Sequence, residues 1–176
     1  ASCSTLEYEA RVPKVAWGSA QATTSFYRLI FRRALSQTGE RTLIPAIVPP
    51  GFGHVGGCFS MAFEDRVQLL ATAAVASSLV LDFFVRTTGK GDFRADTAEL
   101  LPQLRTDDVS QCAARILLLN CLTDRYGALW SGARNLLRDG DGWTKSSSRL
   151  PPDAFTRLQK PWGPSSPLRT SFERRQ

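Results

Sequence analysis

The chain is short of the residues that build metal sites and disulfide frameworks. Its 176 residues include one histidine, His54, and four widely spaced cysteines at positions 3, 58, 112 and 121. A structural zinc site needs four such ligands at close spacing, and no Cys-x-x-Cys pair occurs. We therefore expect no bound metal. We also expect a reducing, cytoplasmic compartment, because nothing in the spacing indicates a disulfide framework.

Long apolar runs are also missing. The most apolar stretch lies between Arg66 and Arg86, and it is interrupted by polar residues such as Gln68, Thr72 and Asp82. Groups of this polarity are costly inside a membrane-spanning helix. The stretch therefore predicts a buried helix, and we expect no membrane partner.

The common catalytic motifs are absent as well. The sequence has no P-loop, no Gly-x-Ser-x-Gly turn and no Asp…Glu-x-Lys nuclease core. The segment VPPGF, at 48–52, comes closest to the Asn/Asp-Pro-Pro-aromatic loop that binds an adenine amine, but Val48 cannot accept that hydrogen bond. His54 lies in a glycine-rich loop without a neighbouring carboxylate, which favours a hydrogen-bonding role over a catalytic base. We expect no catalytic and no cofactor-binding residue in this chain.

Positive charge, in contrast, is abundant. The chain carries 22 basic and 16 acidic side chains, a net charge of +6, and 18 of the basic residues are arginine. The excess is +3 over residues 1–63 and +5 over 143–176, whereas residues 64–142 carry −2. Arginine presents a planar fork that binds phosphate or the guanine edge through two hydrogen bonds. The composition therefore favours an anionic partner.

The pattern along the chain predicts an α+β fold. Strands at 25–32, 41–48 and 58–63 form a small antiparallel or mixed β unit over about residues 20–63, and Pro45 places its strand at an edge or at a bulge. One apolar helix is expected from residue 64 to about Arg86, and a second after 106–108. We predict one domain over 1–142 and a proline-rich arm over 143–176, held down by Trp143 and Trp162.

The order of three blocks resembles large adenine-N6 DNA methylases. The first is YRLIFR (27–32) followed by GERTLIPAIVPP (39–50), similar to the block that opens the target-recognition part of that family. The second is SSLVLDFFVR (77–86) with LLP (100–102), and the third is ARILLLNCLT (114–123) with PLRT (167–170). Together they span most of the chain. Gly39 and Pro45 depart from the family, which usually has Asn and Ala there.

The resemblance implies a role in reading DNA for a restriction-modification or phage-defence enzyme of the fused type II, BREX or DISARM type. This chain, which we expect to be a piece of a longer protein, would dock on double-stranded DNA. The catalytic methyltransferase domain of the same parent chain would flip and methylate the adenine with S-adenosylmethionine. The alternative is a scaffold or partner-docking domain of the same methylase that touches no DNA.

The predicted DNA-facing residues combine guanidinium, ammonium and amide groups from the first two strands, their turn and the following glycine-rich loop. They are Arg28, Arg32, Arg33, Gln37, Thr38, Arg41 and Lys90. The alternative is that the arginines only balance acidic helices. For Arg41 the rival role is an ion pair with Glu40 or Asp82, and Arg86 has the rival role of capping its own helix.

Overall fold

A computed structural model describes residues 4–18, 20–138 and 140–176. It has the predicted α+β character, with a small antiparallel sheet and several helices. In chain order the elements are α1 (Thr5–Arg11), β1 (Arg28–Arg32), β2 (Pro45–Val48), β3 (Cys58–Ala62), α2 (Arg66–Ser77), α3 (Leu79–Thr87), α4 (Ala95–Ala98), α5 (Thr106–Asn120), α6 (Gly127–Gly132) and α7 (Ser171–Arg175). Short 3₁₀ turns occupy Thr23–Ser25, Asp124–Tyr126, Arg134–Leu136 and Thr156–Gln159.

The sheet has the strand order β2-β1-β3, and both pairings are antiparallel. Leu29 and Phe31 of β1 are buried, and so is Ile47 opposite Leu29. Because side chains alternate along a strand, Arg28 and Arg32 lie on the other face. This confirms the alternation predicted from the sequence. Strand β2, which begins at Pro45, is an edge strand, where the missing amide donor is tolerated.

The apolar stretch after the sheet forms two helices and not the single helix predicted. Asp65 caps α2 by accepting a hydrogen bond from the Val67 amide at 2.9 Å. At Ser78 the backbone becomes extended, with ψ at 149°, and the Ser78 hydroxyl caps α3 by accepting from the Leu81 amide at 3.1 Å. A residue that caps one helix cannot continue the previous one, so the axes bend by 68°.

Among the described residues, no single helix is long and apolar enough to cross a membrane. Helices α2 and α3 together reach the length and apolar composition of a membrane span, but they are bent by 68° at their junction. Helix α2 packs against α5, and its buried positions Leu69, Leu70 and Ala73 belong to the core.

The core lies between the inner face of the sheet, α2 and α5. Phe31 stacks on Phe93 with ring centroids 4.3 Å apart, and Phe59 contacts the same ring edge to face at 5.5 Å. Trp130 of α6 is also fully buried. Aromatic side chains bury large areas, so this cluster fixes the sheet against the segment after α3.

The C-terminal segment 143–176 packs on the same core through Ala154, Leu158 and Leu168. The Trp162 indole donates to the Cys121 carbonyl at 2.8 Å, which confirms that this tryptophan holds the segment to the rest of the fold. The Trp143 indole donates to the Pro151 carbonyl within the segment, at 2.9 Å, and the Trp143 ring packs against the core, as predicted. The boundary between a 1–142 domain and an arm stays a prediction.

Candidate functional site

The seven predicted DNA-facing residues fall into three groups. Three of them form ion pairs with carboxylates: Arg33, Arg41 and Lys90. Three others are exposed on the first strand and the turn after it: Arg32, Gln37 and Thr38. The remaining residue, Arg28, is buried. The structure therefore does not bring the seven together on one open surface.

Arg41 takes its rival role, in an ion pair with a buried carboxylate. Asp82 of α3 lies inside the fold, and its Oδ1 accepts hydrogen bonds from the backbone amides of Thr42 at 2.9 Å and Leu43 at 2.7 Å. The Arg41 Nε is 3.3 Å from the same oxygen. The strand predicted at 41–48 is therefore observed only over Pro45–Val48. Its first half does not pair with a neighbouring strand, because the amides of Thr42 and Leu43 bind the Asp82 side chain.

Arg86 completes this cluster from the end of α3. Its Nε donates to the Thr42 hydroxyl at 2.9 Å, and its Nη2 donates to the Gly39 carbonyl at 2.8 Å and lies 3.8 Å from Asp82 Oδ2. Arg86 therefore binds the turn before β2. We call Arg41, Thr42, Asp82 and Arg86 the Asp82 clamp; it joins two of the three blocks on which the methylase resemblance rests.

The ion pairs of Arg33 and Lys90 are open to solvent. Arg33 lies 3.5 Å from Asp92, and Lys90 lies 2.6 Å from Asp96. The Gln37 side chain also donates to the Lys90 carbonyl, at 3.3 Å. Exposed ion pairs of this kind contribute about 0–1 kcal/mol each, so a phosphate is able to displace the carboxylate. Both cations remain available for an anionic partner.

The outer face of the sheet forms the floor of a cleft of about 380 Å³. Helix α1, the turn at 23–24 and the loop between β2 and β3 form its walls. The described lining residues are Tyr8, Arg11, Val12, Pro13, Thr23, Thr24, Arg28, Gly53, His54, Cys58, Phe59 and Ser60. This lining includes two arginines and no carboxylate.

Arg28 lies in this cleft with only 3% of its surface exposed. Its Nη2 donates to the Phe52 carbonyl, and its Nε has no hydrogen-bond partner among the residues that the structure describes. Burial lowers the pKa of Arg28, an effect that Tyr8 partly opposes. Among the described residues, no carboxylate lies within 4 Å of its guanidinium. The side chain therefore faces the cleft, and not the open surface that the sequence predicts.

His54 and Gly53 shape one wall of the cleft. The His54 Nδ1 lies 3.1 Å from the Val55 carbonyl, which only accepts hydrogen bonds, so Nδ1 carries the proton. In the neutral ring Nε2 then accepts from the Ser60 hydroxyl at 2.8 Å, which confirms a hydrogen-bonding histidine. A Cβ on Gly53 would lie 2.1 Å from the Tyr8 hydroxyl, so glycine allows this tyrosine to approach.

Sequence reasoning missed Tyr8 and Arg11, because no local pattern connects α1 with the sheet. Among the residues that the structure describes, no group of three or more His, Cys, Asp or Glu side chains could hold a metal ion. Comparison with known protein families, characterised proteins and solved structures found no match.

Proposed function

We propose that this chain is the DNA-docking, target-recognition segment of an S-adenosylmethionine-dependent adenine-N6 DNA methyltransferase of a restriction-modification or phage-defence system. The methylase part rests on the order of the three sequence blocks. The DNA-docking part rests on one observation: Arg32 is exposed on the outer sheet face, and no described carboxylate lies within 4 Å of its guanidinium. An arginine without a counter-ion is free to bind phosphate or a guanine edge.

We infer fewer DNA contacts than the seven residues that the sequence predicts. Arg32, Gln37 and Thr38 are exposed at the end of β1 and on the turn after it, so they are the first contacts. Arg33 and Lys90 are second, because each must leave an exposed ion pair. Arg41 becomes a positioning residue, since it is held by the buried carboxylate of Asp82.

The test is the affinity of the whole chain for a 20-base-pair duplex, measured by fluorescence anisotropy at 50 and 200 mM salt. We expect Arg32→Ala to weaken binding about fivefold at the lower salt and to reduce the salt slope by about one, as for one lost phosphate contact. Arg175→Ala is the matched control, because it removes the same charge from an exposed position on α7. Equal affinities for the two variants would refute the assigned interface.

The second candidate function is docking on the catalytic domain of the same parent chain without DNA contacts. Its supporting observation is the apolar surface of α3, where Leu79 is 73%, Val80 82% and Phe83 68% exposed. Clusters of large exposed apolar side chains mark interaction sites. This candidate predicts that the chain binds no duplex at 50 mM salt, and it predicts that Arg32→Ala leaves the methylation pattern of the parent enzyme unchanged.

A further inference from the structure

The cleft on the outer sheet face holds a buried charge that the fold does not neutralise. Arg28 is 3% exposed, yet the described contacts of its guanidinium amount to one backbone carbonyl. Asp82, which is buried to a similar degree, has two backbone amides and two arginines around it. Moving a charge out of water is unfavourable unless a partner of opposite charge compensates for the lost hydration. Arg28 lacks that partner within the described chain.

The other lining groups suit an oxyanion. Arg11 and Tyr8 of helix α1 line the cleft, and so do Thr23 and Thr24 of the turn before β1. The side chains of all four carry hydrogen-bond donors. These donors come from separate elements, so they can reach oxygens that point in different directions. A tetrahedral phosphate offers such oxygens, whereas a planar carboxylate offers two. The volume of about 380 Å³ lies within the range of small-molecule sites.

We infer that this cleft is a phosphate-binding site in which Arg28 is the buried anchor and Arg11 the exposed second cation. The inference deepens the proposed function and rests on it for the source of the phosphate, which is either the DNA backbone or a free phosphate group. A phosphate in the cleft supplies the counter-charge that Arg28 lacks among the described residues. The guanidinium groups of Arg28 and Arg11 then bind one charged ligand together. Hydrogen bonds between charged groups are stronger than those between neutral groups.

A purely structural role for Arg28 is the competing explanation, because its bond to the Phe52 carbonyl also ties the loop between β2 and β3 to the sheet. A structural arginine would lose stability on substitution but would show no response to phosphate. The decisive variants therefore lie at the open side of the cleft, where substitution leaves the core intact. Arg11 is exposed and belongs to this side.

The experiment is thermal unfolding of the whole chain with inorganic phosphate, at an ionic strength held constant with chloride. We expect the midpoint to rise by about 3–5 °C at ten times the dissociation constant. Arg11→Ala should raise that constant at least fivefold, and Arg175→Ala should leave it unchanged. Arg28→Met should abolish the response; if it fails to fold, Arg11→Ala and Tyr8→Phe provide the test. No rise above the chloride control, or an Arg11→Ala variant equal to Arg175→Ala, overturns the site.

The duplex measurements separate this site from the proposed function. If the ligand is a DNA phosphate, Arg11→Ala weakens duplex binding and inorganic phosphate competes with the duplex. If the ligand is a free phosphate group, Arg11→Ala weakens only the binding of inorganic phosphate, and the site stands. Duplex binding without any phosphate response overturns the site alone. A phosphate response without duplex binding overturns the proposed function alone.

Discussion

Substitution of Asp82 tests whether the Asp82 clamp holds the turn before β2. We consider Asp82→Asn, which keeps the shape and one acceptor oxygen but removes the charge. The carboxylate accepts two backbone hydrogen bonds, at 2.9 and 2.7 Å, in a buried position. Hydrogen bonds to a charged group contribute about 1.5–3 kcal/mol each, against about 0.5–1.5 for neutral ones. Losing the charge should therefore cost about 2–3 kcal/mol.

The arginines add less than the amides to this figure. The side chains of Arg41 and Arg86 are 29% and 35% exposed, so solvent screens both ion pairs. Asp82→Ala should be worse, about 3–5 kcal/mol, because it leaves two buried amides without an acceptor and two partly buried arginines without their shared carboxylate. The Ala variant should lose more stability than the Asn variant, because only Asn retains an acceptor oxygen for the two amides.

The assay is urea unfolding followed by tryptophan fluorescence, with the slope of each transition compared between variants. Glu40→Gln is the control: it removes a carboxylate one residue from Arg41, and its exposed side chain has no described contact. We expect that control to change stability by less than about 0.5 kcal/mol. An Asp82→Asn variant that unfolds with the same midpoint as the control would refute the argument, since the charge would then have no structural role.

Two further predictions concern buried groups. Burial raises the pKa of Cys121 and of Tyr126, each to about 12. The folded state then holds these protons more tightly than the unfolded state, so stability present below pH 9 should decline as pH rises toward 12. Urea unfolding midpoints measured from pH 9 to 12 should fall less steeply for the double variant Cys121→Ala/Tyr126→Phe than for the unchanged chain, because the variant lacks both titrating groups. Trp162→Phe should cost about 1–2 kcal/mol by urea unfolding, because it removes the donor to the Cys121 carbonyl; a loss equal to that of an exposed substitution contradicts this.

The sequence predicts those parts of the fold that depend on local pattern. Alternation in β1 assigns Leu29 and Phe31 to the core, and Asp65 marks the start of α2. The break at Ser78 was missed because serine is compatible with both a helix interior and a helix cap. Whether Ser78 lies inside a helix or caps a new one is decided by the side on which the apolar residues after it are buried. That side depends on how α3 packs against the rest of the fold.

The candidate site was predicted only in part, for a related reason. Alternation places Arg28 on the outer face of the sheet, and an arginine there is expected to meet water. Helix α1 and the loop between β2 and β3 cover that face instead. Which segments cover a second sheet face depends on contacts between distant parts of the chain, and Tyr8 and Gly53 carry no local signal of their meeting. For Arg41 the sequence named both Glu40 and Asp82 as rival partners, and only the packing of α3 against the turn before β2 decides for Asp82.

The Asp82 clamp also has a consequence for engineering the chain. It fastens the end of the turn through the backbone of Thr42 and Leu43, while Gln37 and Thr38 at the tip remain exposed. The residues at the tip can therefore be replaced without disturbing the Asp82 clamp that fixes the end of the turn. A library randomised at these two positions should stay folded, because the described side-chain contact that it removes is one exposed hydrogen bond, from Gln37 to the Lys90 carbonyl.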